Sequence, residues 1–372
     1  MIFISYFFYP NKEVGANRIR FWVTYILKYH PEIEPVVITA TKFSAEEQIA
    51  QFQYYVEPDA SNPINWLIKD QGLNWSRPLV NFFNENHFEN LAGIVMTGGP
   101  FMQFSSISQI KKNCKCKVLI DFRDPFSDNQ RFSNSFVKKM IKRSYEKQFV
   151  KNADFVVSVN SDVLDTLAGY KEDSSKFIVI PNGYDDISID EARRSVHSID
   201  NKGLNLIVAG KYYLRGDPSE AIHATMELSD EGLEVNYSHY GGMEAGVKEV
   251  PEHPSIIEHG ITDYVEIAKA LVAADIGLLI TQGLEQNTPT KLFDYMGAEL
   301  PILIITDGEF YKGNTHHVTS DYPYVRWCKN IKTDIKKAIS EMSRSDLSVE
   351  YPERKKFSRR EGLNTLLRTF KL

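Results

Sequence analysis

The chain has 372 residues, a hydrophobic fraction of 42% and a formal net charge of −6. This length favours two α/β domains over a single core, and the negative charge excludes a general binder of polyanions. The three cysteines, Cys114, Cys116 and Cys328, match neither a disulfide framework nor the usual zinc spacings. The composition therefore indicates a globular protein of a reducing compartment.

The chain opens with an apolar stretch that lacks a basic leader and stops at Pro10. We expect this stretch to form a first buried strand rather than a signal peptide. No segment approaches the length of a membrane span. The sequence therefore predicts a cytoplasmic protein.

Strand patterns alternate with helical patterns along the chain, which is typical of parallel sheets with crossover helices. The predicted strands are 2–7, 35–39, 93–97, 117–121, 155–159 and 177–180 in the first half, and 205–209, 235–240, 256–259, 276–280 and 301–305 in the second. A polar stretch over 185–203 is the predicted linker, and an amphipathic helix is expected after residue 356. Ligands of such sheets bind beyond the carboxyl ends of the strands.

The stretch 288–301 combines a polar turn, a helix start and a new apolar strand. Thr290 is predicted to cap the helix, whose first backbone N–H groups and positive dipole end suit a phosphate. Lys291 adds a positive charge, and Asp294 lies on nearly the same helical face, where its carboxylate can accept hydrogen bonds from a sugar diol. The spacing fits a nucleotide. A capped helix that leads into a buried strand, with no ligand, is the alternative.

Two other strand ends carry charged groups. Gly210 and Lys211 follow a strand and Arg215 precedes a helix start, so these cations suit a diphosphate. An exposed loop with ordinary surface charges is the alternative. Arg123 and Asp124 follow a buried strand, where clustered charge often marks a cleft. A structural ion pair that braces the loop is the alternative there.

Three further positions are candidates with equally open alternatives. Gly15 can let the backbone approach a substrate, or it can merely form a turn. Arg18 can contact an acceptor or a phosphate, or it can be a solvated helix residue. A base is expected to stack near Ile261, just after a strand, unless that segment is a simple loop.

Several short motifs follow one another in a fixed order. They are an amino-terminal strand followed by a Gly15 loop, Asp121-Phe-Arg-Asp-Pro125, Ala153-Asp-Phe-Val-Val-Ser158, Ile180-Pro-Asn-Gly183, Val208-Ala-Gly-Lys211, Ala274-Asp-Ile-Gly-Leu-Leu279 and Thr290-Lys-Leu-Phe-Asp-Tyr295. In this order the chain resembles the GT-B glycosyltransferases often called group 1 or family four, and its Asp-x-Arg-Asp motif resembles a subgroup of them. The resemblance implies an α/β fold of two Rossmann-like domains whose parallel sheets face an interdomain cleft. It implies an acceptor domain over 1–186, a nucleotide-sugar donor domain over 204–355 and a helix over 356–372 that returns to the amino-terminal domain.

The resemblance also implies roles for site residues. In the family, basic residues near Lys211 neutralise the leaving diphosphate, and two acidic residues eight positions apart contact the transferred sugar and the ribose. Asp294 stands at the second acidic position, whereas Gln286 stands at the first with Glu285 beside it, so the sugar contact can fall to either or to neither. The backbone amides at the start of the helix form the implied diphosphate cradle. The predicted site comprises catalytic Arg123, Asp124, Lys211 and Arg215, donor-binding Gly15, Gly210, Ile261, Glu285, Gln286, Thr290, Lys291, Leu292 and Asp294, and the acceptor contact Arg18.

The implied reaction is transfer of a sugar from a UDP- or GDP-sugar to an acceptor hydroxyl, with no metal or other cofactor required. Relatives retain the anomeric configuration, and bacterial relatives act on glycans or lipid-linked acceptors in surface polysaccharide or glycoconjugate assembly. The alternatives are a sugar-nucleotide 2-epimerase and a non-catalytic nucleotide-sugar-binding partner subunit.

The window 111–151 holds twelve Lys or Arg against four acidic residues, and its segment 135–143 is amphipathic. Such a helix suits anionic lipid at the inner face of a membrane. A core helix with a solvated basic side is the alternative. Nucleic acid is not an expected partner, because the aromatic residues lie in predicted strands rather than among these basic residues.

Overall fold

The structure is a computed structural model that describes residues 1–11, 14–60, 62, 65–129, 135–170, 173–195, 203–214, 216–281, 283 and 288–372. The chain divides into two compact units. The first unit comprises Met1–Asn182 and Arg359–Leu372, and the second comprises Gly183–Ser358. Among the described residues, no helix is both long and apolar enough to cross a membrane.

The first unit is built on a parallel sheet. Its strands are β1 Ile2–Ser5, β2 Val36–Thr39, β3 Phe52–Tyr55, β4 Ile94–Thr97, β5 Val118–Phe122, β6 Phe155–Ser158 and β7 Phe177–Val179. They lie in the order β3-β2-β1-β4-β5-β6-β7, and every pairing is parallel. All four residues of β4 are buried, as expected for a strand covered on both faces.

Helices cover the first sheet. They are α1 Val14–Tyr29, α2 Asn65–Ile68, α3 Gly72–Glu85, α4 Ile107–Cys114, α5 Phe136–Asn152, α6 Ser161–Ala168 and, from the end of the chain, α13 Arg359–Phe370, with 3-10 turns at Ala45–Glu47, Met102–Ser106 and Ser174–Lys176. The predicted terminal helix is present as α13. It contacts α1, where the Trp22 indole N–H donates to the Arg359 carbonyl at 3.0 Å.

The second unit repeats the architecture. Its strands are β8 Leu204–Ala209, β9 Val235–Tyr240, β10 Ile256–Gly260, β11 Ile276–Thr281, β12 Ile302–Thr306 and β13 Val325–Lys329, in the parallel order β10-β9-β8-β11-β12-β13. Its helices are α7 Asp186–Ser195, α8 Ser219–Asp230, α9 Tyr264–Ala273, α10 Thr290–Gly297, α11 Gly313–Thr319 and α12 Lys332–Met342, with a 3-10 turn at Pro352–Phe357. The five residues of β12 are all buried.

Each predicted strand is present, but the structure differs from the prediction in three places. Two strands at sheet edges, β3 and β13, were not predicted. The predicted linker contains α7, because Ile189 and Ala192 lie one helical turn apart and bury their side chains in the second unit. That helix makes the stretch part of a core rather than a solvated connection.

The strand order fixes where a ligand can bind in each sheet. The order reverses between β1 and β4 in the first unit, and between β8 and β11 in the second. Parallel sheets of this kind bind ligands at such reversals, beyond the carboxyl ends of the strands. Gly15 follows β1, whereas Gly210 follows β8 and α10 follows β11. Gly15, Gly210 and the start of α10 therefore lie beside the reversal of strand order in their own unit.

Candidate functional site

The turn after β8 lies against the Lys291 side chain of α10. Gly210 has a φ of +108°, and a Cβ built on it would lie 3.9 Å from Lys291 Cε. Burial lowers the pKa of Lys291 to about 8. A half-buried lysine with a lowered pKa therefore lies at the turn where the sequence predicts a diphosphate.

The start of α10 differs from the prediction in two respects. Pro289 occupies the N-cap position with φ −59° and ψ 133°, and Thr290 is already helical, so the predicted Thr290 cap is wrong. The Leu292 N–H donates to the Pro289 carbonyl at 3.0 Å, so this amide does not join the predicted phosphate cradle. The N–H groups of Thr290 and Lys291 belong to the first turn, where a helix supplies no acceptor of its own.

The Asp294 carboxylate is held by a tyrosine that the sequence analysis missed. Asp294 is 7% exposed, and the Tyr264 hydroxyl donates to its Oδ1 at 2.5 Å. Tyr264 is the first residue of α9, just beyond the predicted base-binding segment. Its place at a helix start after a strand was the signal that could have marked it.

Another tyrosine fixes α10 to the sheet. The Tyr295 hydroxyl donates to the Leu278 carbonyl at 2.9 Å and accepts from the Ala209 N–H at 3.1 Å. Gly277 gives its ring room, because a Cβ on Gly277 would lie 2.7 Å from it. These contacts connect α10 to β8 and β11, which holds Lys291 in place.

Two of the remaining donor-side candidates, Lys211 and Ile261, follow β8 and β10. Lys211 is exposed directly after Gly210. Ile261 is 73% exposed and lies beside Gly242, where an added Cβ would be 3.4 Å from its side chain. The other candidates of this side, Arg215, Glu285 and Gln286, lie outside the described residues.

In the first unit, the Arg18 side chain is buried and makes hydrogen bonds to two distant parts of the chain. It is 2% exposed, so the solvated alternative is wrong. Its guanidinium donates to Ile180 O at 2.9 Å and to Asp121 Oδ1 at 3.5 Å. Burial lowers the pKa of Arg18 to about 10, and the Asp121 carboxylate opposes that shift. These hydrogen bonds connect α1 to β5, which contains Asp121, and to Ile180, which directly follows β7.

Arg123 and Gly15 are brought together. The Arg123 Nη1–H donates to the Gly15 carbonyl at 2.6 Å, and a Cβ on Gly15 would lie 3.4 Å from the same nitrogen. Burial lowers the pKa of Arg123, and the charges of Asp121 and the half-buried Asp124 oppose this. Arg123, Asp124 and Gly15, predicted for catalysis and donor binding, and Arg18, predicted for the acceptor, thus lie together with Asp121 in one charged cluster at the carboxyl ends of β1 and β5.

The described residues contain no group of three or more His, Cys, Asp or Glu side chains that could hold a metal ion.

The two parallel-sheet units define the GT-B fold. No family model and no curated protein matches the sequence. Among solved structures, the chain is similar to sucrose-phosphate synthase from Thermosynechococcus elongatus, with TM-score 0.70, 11% identity and coverage of 100% of this chain and 98% of that one.

Two further solved structures cover almost the whole chain. A glycosyltransferase from Rickettsia africae ESF-5 has TM-score 0.65, 13% identity and coverage of 100% and 97%. UDP-GlcNAc 2-epimerase from Neisseria meningitidis, bound to UDP-GlcNAc, has TM-score 0.59, 11% identity and coverage of 99% and 98%. At such identities the likeness shows the fold alone.

Proposed function

We propose that the chain is a glycosyltransferase that moves a sugar from a nucleotide sugar to an acceptor hydroxyl. One observation carries this proposal: the Lys291 ammonium group lies at the Gly210 turn, beside the reversal of strand order in the second unit. Asp294, one helical turn further along α10, is buried and oriented by Tyr264. A cation and a carboxylate at this spacing suit the diphosphate and the ribose of one nucleotide.

The donor-side roles follow from charge. Lys291 and Lys211 stabilise the negative charge that develops on the leaving diphosphate, together with the first amides of α10. Asp294 accepts hydrogen bonds from the ribose hydroxyls, and the exposed Ile261 offers an apolar surface to the base. We propose a UDP- or GDP-sugar as the donor and retention of the anomeric configuration.

Residues outside the described part of the chain complete the proposed site. Arg215 adds a second charge near Lys211, and Gln286 or Glu285 contacts the transferred sugar. In the first unit, Arg123 and Asp124 are the proposed catalytic residues, Gly15 is the proposed donor contact and Arg18 the proposed acceptor contact. The proposed acceptor is a glycan or a lipid-linked sugar of bacterial surface polysaccharide or glycoconjugate assembly.

A sugar-nucleotide 2-epimerase is the second candidate, because a UDP-GlcNAc 2-epimerase has the same fold over 99% of this chain. Chromatography of reaction products separates the two functions. An epimerase converts a nucleotide sugar into its isomer without an acceptor, whereas a transferase releases the nucleoside diphosphate and forms a glycosylated acceptor. A non-catalytic partner subunit would bind the nucleotide and leave it intact in both assays.

The charge of Lys291 predicts a pH dependence. Because its pKa lies at about 8, the ammonium form dominates below that pH and is lost above it. We expect the affinity for a nucleoside diphosphate to fall as the pH rises from about 7 to about 9.5. Lys291→Arg should flatten this fall, because arginine stays charged over the whole range. Calorimetric titrations at several pH values measure the effect, and equal pH profiles for both proteins would contradict it.

We also propose that the chain acts in the cytoplasm at the inner face of a membrane, through α5. Three large apolar side chains of its first turns are exposed, Phe136 by 77%, Val137 by 60% and Met140 by 57%. Lys139 and Arg143 lie on the same helix, where both pair with Asp128. Apolar side chains beside basic ones suit an anionic lipid surface.

Vesicle sedimentation tests the α5 surface. We expect the chain to sediment with phosphatidylglycerol vesicles more than with phosphatidylcholine vesicles. The double variant Phe136→Ser/Met140→Ser should lower the partition coefficient at least about tenfold, since each side chain contributes about 1.5 kcal/mol or more when buried. The matched control is Tyr311→Ser, which removes another exposed aromatic side chain in the second unit. Unchanged sedimentation of the double variant would exclude this surface.

A further inference from the structure

A buried histidine lies beneath the Gly210 turn. His239, the penultimate residue of β9, has a fully buried side chain. Its Nε2 lies 2.9 Å from the Gly210 carbonyl oxygen, and its Nδ1 lies 2.6 Å from Glu258 Oε2. The Tyr212 ring stacks on the imidazole with centroids 3.6 Å apart. The ring is therefore fixed in position and in rotation.

These contacts settle where one proton of His239 lies. A carbonyl oxygen only accepts hydrogen bonds, so Nε2 must carry a hydrogen. On the other side of the ring, Nδ1 faces the Glu258 carboxylate of β10. Among titratable groups, Tyr212 stacks on the ring and its hydroxyl bonds that of Tyr237, whereas His259 of β10 stacks on Tyr240 nearby. Glu258 thus fixes the orientation of the ring from the side opposite Gly210.

Both peptide groups of Gly210 make contacts that fix its backbone. The Gly210 N–H donates to the Tyr240 carbonyl at 2.7 Å. Gly241 packs against the next peptide, between Gly210 and Lys211, because a Cβ on Gly241 would lie 2.4 Å from the Gly210 oxygen. In a trans peptide the carbonyl and the following N–H point in opposite directions. With its oxygen turned toward His239, this peptide points the Lys211 N–H away from the histidine.

We propose that His239 is a positioning residue for the donor diphosphate. By holding the Gly210 carbonyl, it fixes the peptide that presents the Lys211 N–H and side chain, beside Lys291, to the phosphates. His239 itself lies beneath the turn and acts through Gly210. This inference rests on the proposed nucleotide-sugar site and adds a residue from a strand that carried no predicted site residue.

The test compares a diphosphate with a monophosphate of the same base. His239→Phe keeps a ring against Tyr212 but removes both hydrogen bonds. Calorimetry with UDP and UMP, or with GDP and GMP where the wild type prefers guanine, should show an affinity ratio that falls about tenfold. His239→Gln can donate to the Gly210 carbonyl and should restore part of the ratio.

The matched control is His253→Phe. His253 is a largely buried histidine of the same unit whose two nitrogens face Ser255 and Asp230, and it precedes β10. Its variant should leave the diphosphate-to-monophosphate ratio unchanged. A role in stability alone would lower both affinities equally and would not move the ratio.

A second measurement does not depend on any variant folding. The ¹⁵N resonances of His239 in the wild-type protein should show a protonated Nε2, and an unprotonated Nε2 would overturn the inference. An unchanged ratio in His239→Phe, with nucleotide binding intact in the wild type, would also overturn it and leave the proposed function standing. Absence of nucleotide binding by the wild type would instead reject the proposed function, and this inference with it.

Discussion

Replacing Lys291 with alanine is expected to lower the turnover of the nucleotide sugar by about 10²- to 10³-fold, the usual effect of removing one group that stabilises developing charge. The ammonium group lies at the Gly210 turn, and burial lowers its pKa to about 8. A partly desolvated cation interacts more strongly with a leaving diphosphate than an exposed cation does. Release of nucleoside diphosphate from the donor that the wild type consumes measures the effect.

Lys269→Ala is the matched control for that experiment. Lys269 is an exposed lysine of α9 in the same unit, where it pairs with Glu266. Its replacement should leave turnover within about twofold of the wild type, since exposed pairs contribute little. Equal turnover of Lys291→Ala and the wild type would remove Lys291 from the donor site.

The second large effect is expected on stability. Arg18→Met should lower the free energy of unfolding of the first unit by about 3 kcal/mol, because it removes the cation that pairs with the buried Asp121 carboxylate. Arg18 is almost fully buried, bonds Asp121 and the Ile180 carbonyl, and stacks on Trp22 with its guanidinium carbon 4.6 Å from the ring centre. Methionine keeps the length of the side chain but none of these polar contacts.

Native-state hydrogen exchange of β1 and β5 under increasing urea measures the first unit by itself. Arg20→Met is the control, because Arg20 is an exposed residue of the same helix with a cation–π contact to Tyr9. That control should cost less than about 1 kcal/mol. A loss of similar size in both variants would show that the buried network contributes little.

The central strands of both sheets could be predicted because they are buried and read as continuous apolar runs. β12 is such a run, and its position agrees with the prediction. β3 and β13 could not be found in the same way. They are edge strands in which polar residues, the buried Gln53 of β3 and the half-buried Arg326 of β13, interrupt the apolar pattern. α7 was missed because the polar residues around Ile189 obscure its narrow apolar face.

The candidate site could be predicted where a role is visible in a short motif. Lys291 and Asp294 stand in one such motif, and the structure places the first at Gly210. Residues that hold the site in place are far away in sequence from the groups they contact: Tyr264 is thirty positions from Asp294, and His239 is twenty-nine from Gly210. Their pairing depends on which strands are neighbours, and strand order is a property of the whole sheet. The buried state of Arg18 could not be predicted for the same reason, because its partner Asp121 lies 103 positions away in the sequence.

Calorimetric titration with UDP, GDP, ADP, CMP and their common sugars tests the central claim most directly. We predict saturable binding of one nucleotide family by the wild type. Lys291→Ala and Asp294→Ala should each weaken that binding about tenfold or more, as expected for losing a charge-assisted hydrogen bond. A folded wild-type protein that binds none of these ligands, with or without an acceptor, would contradict the account.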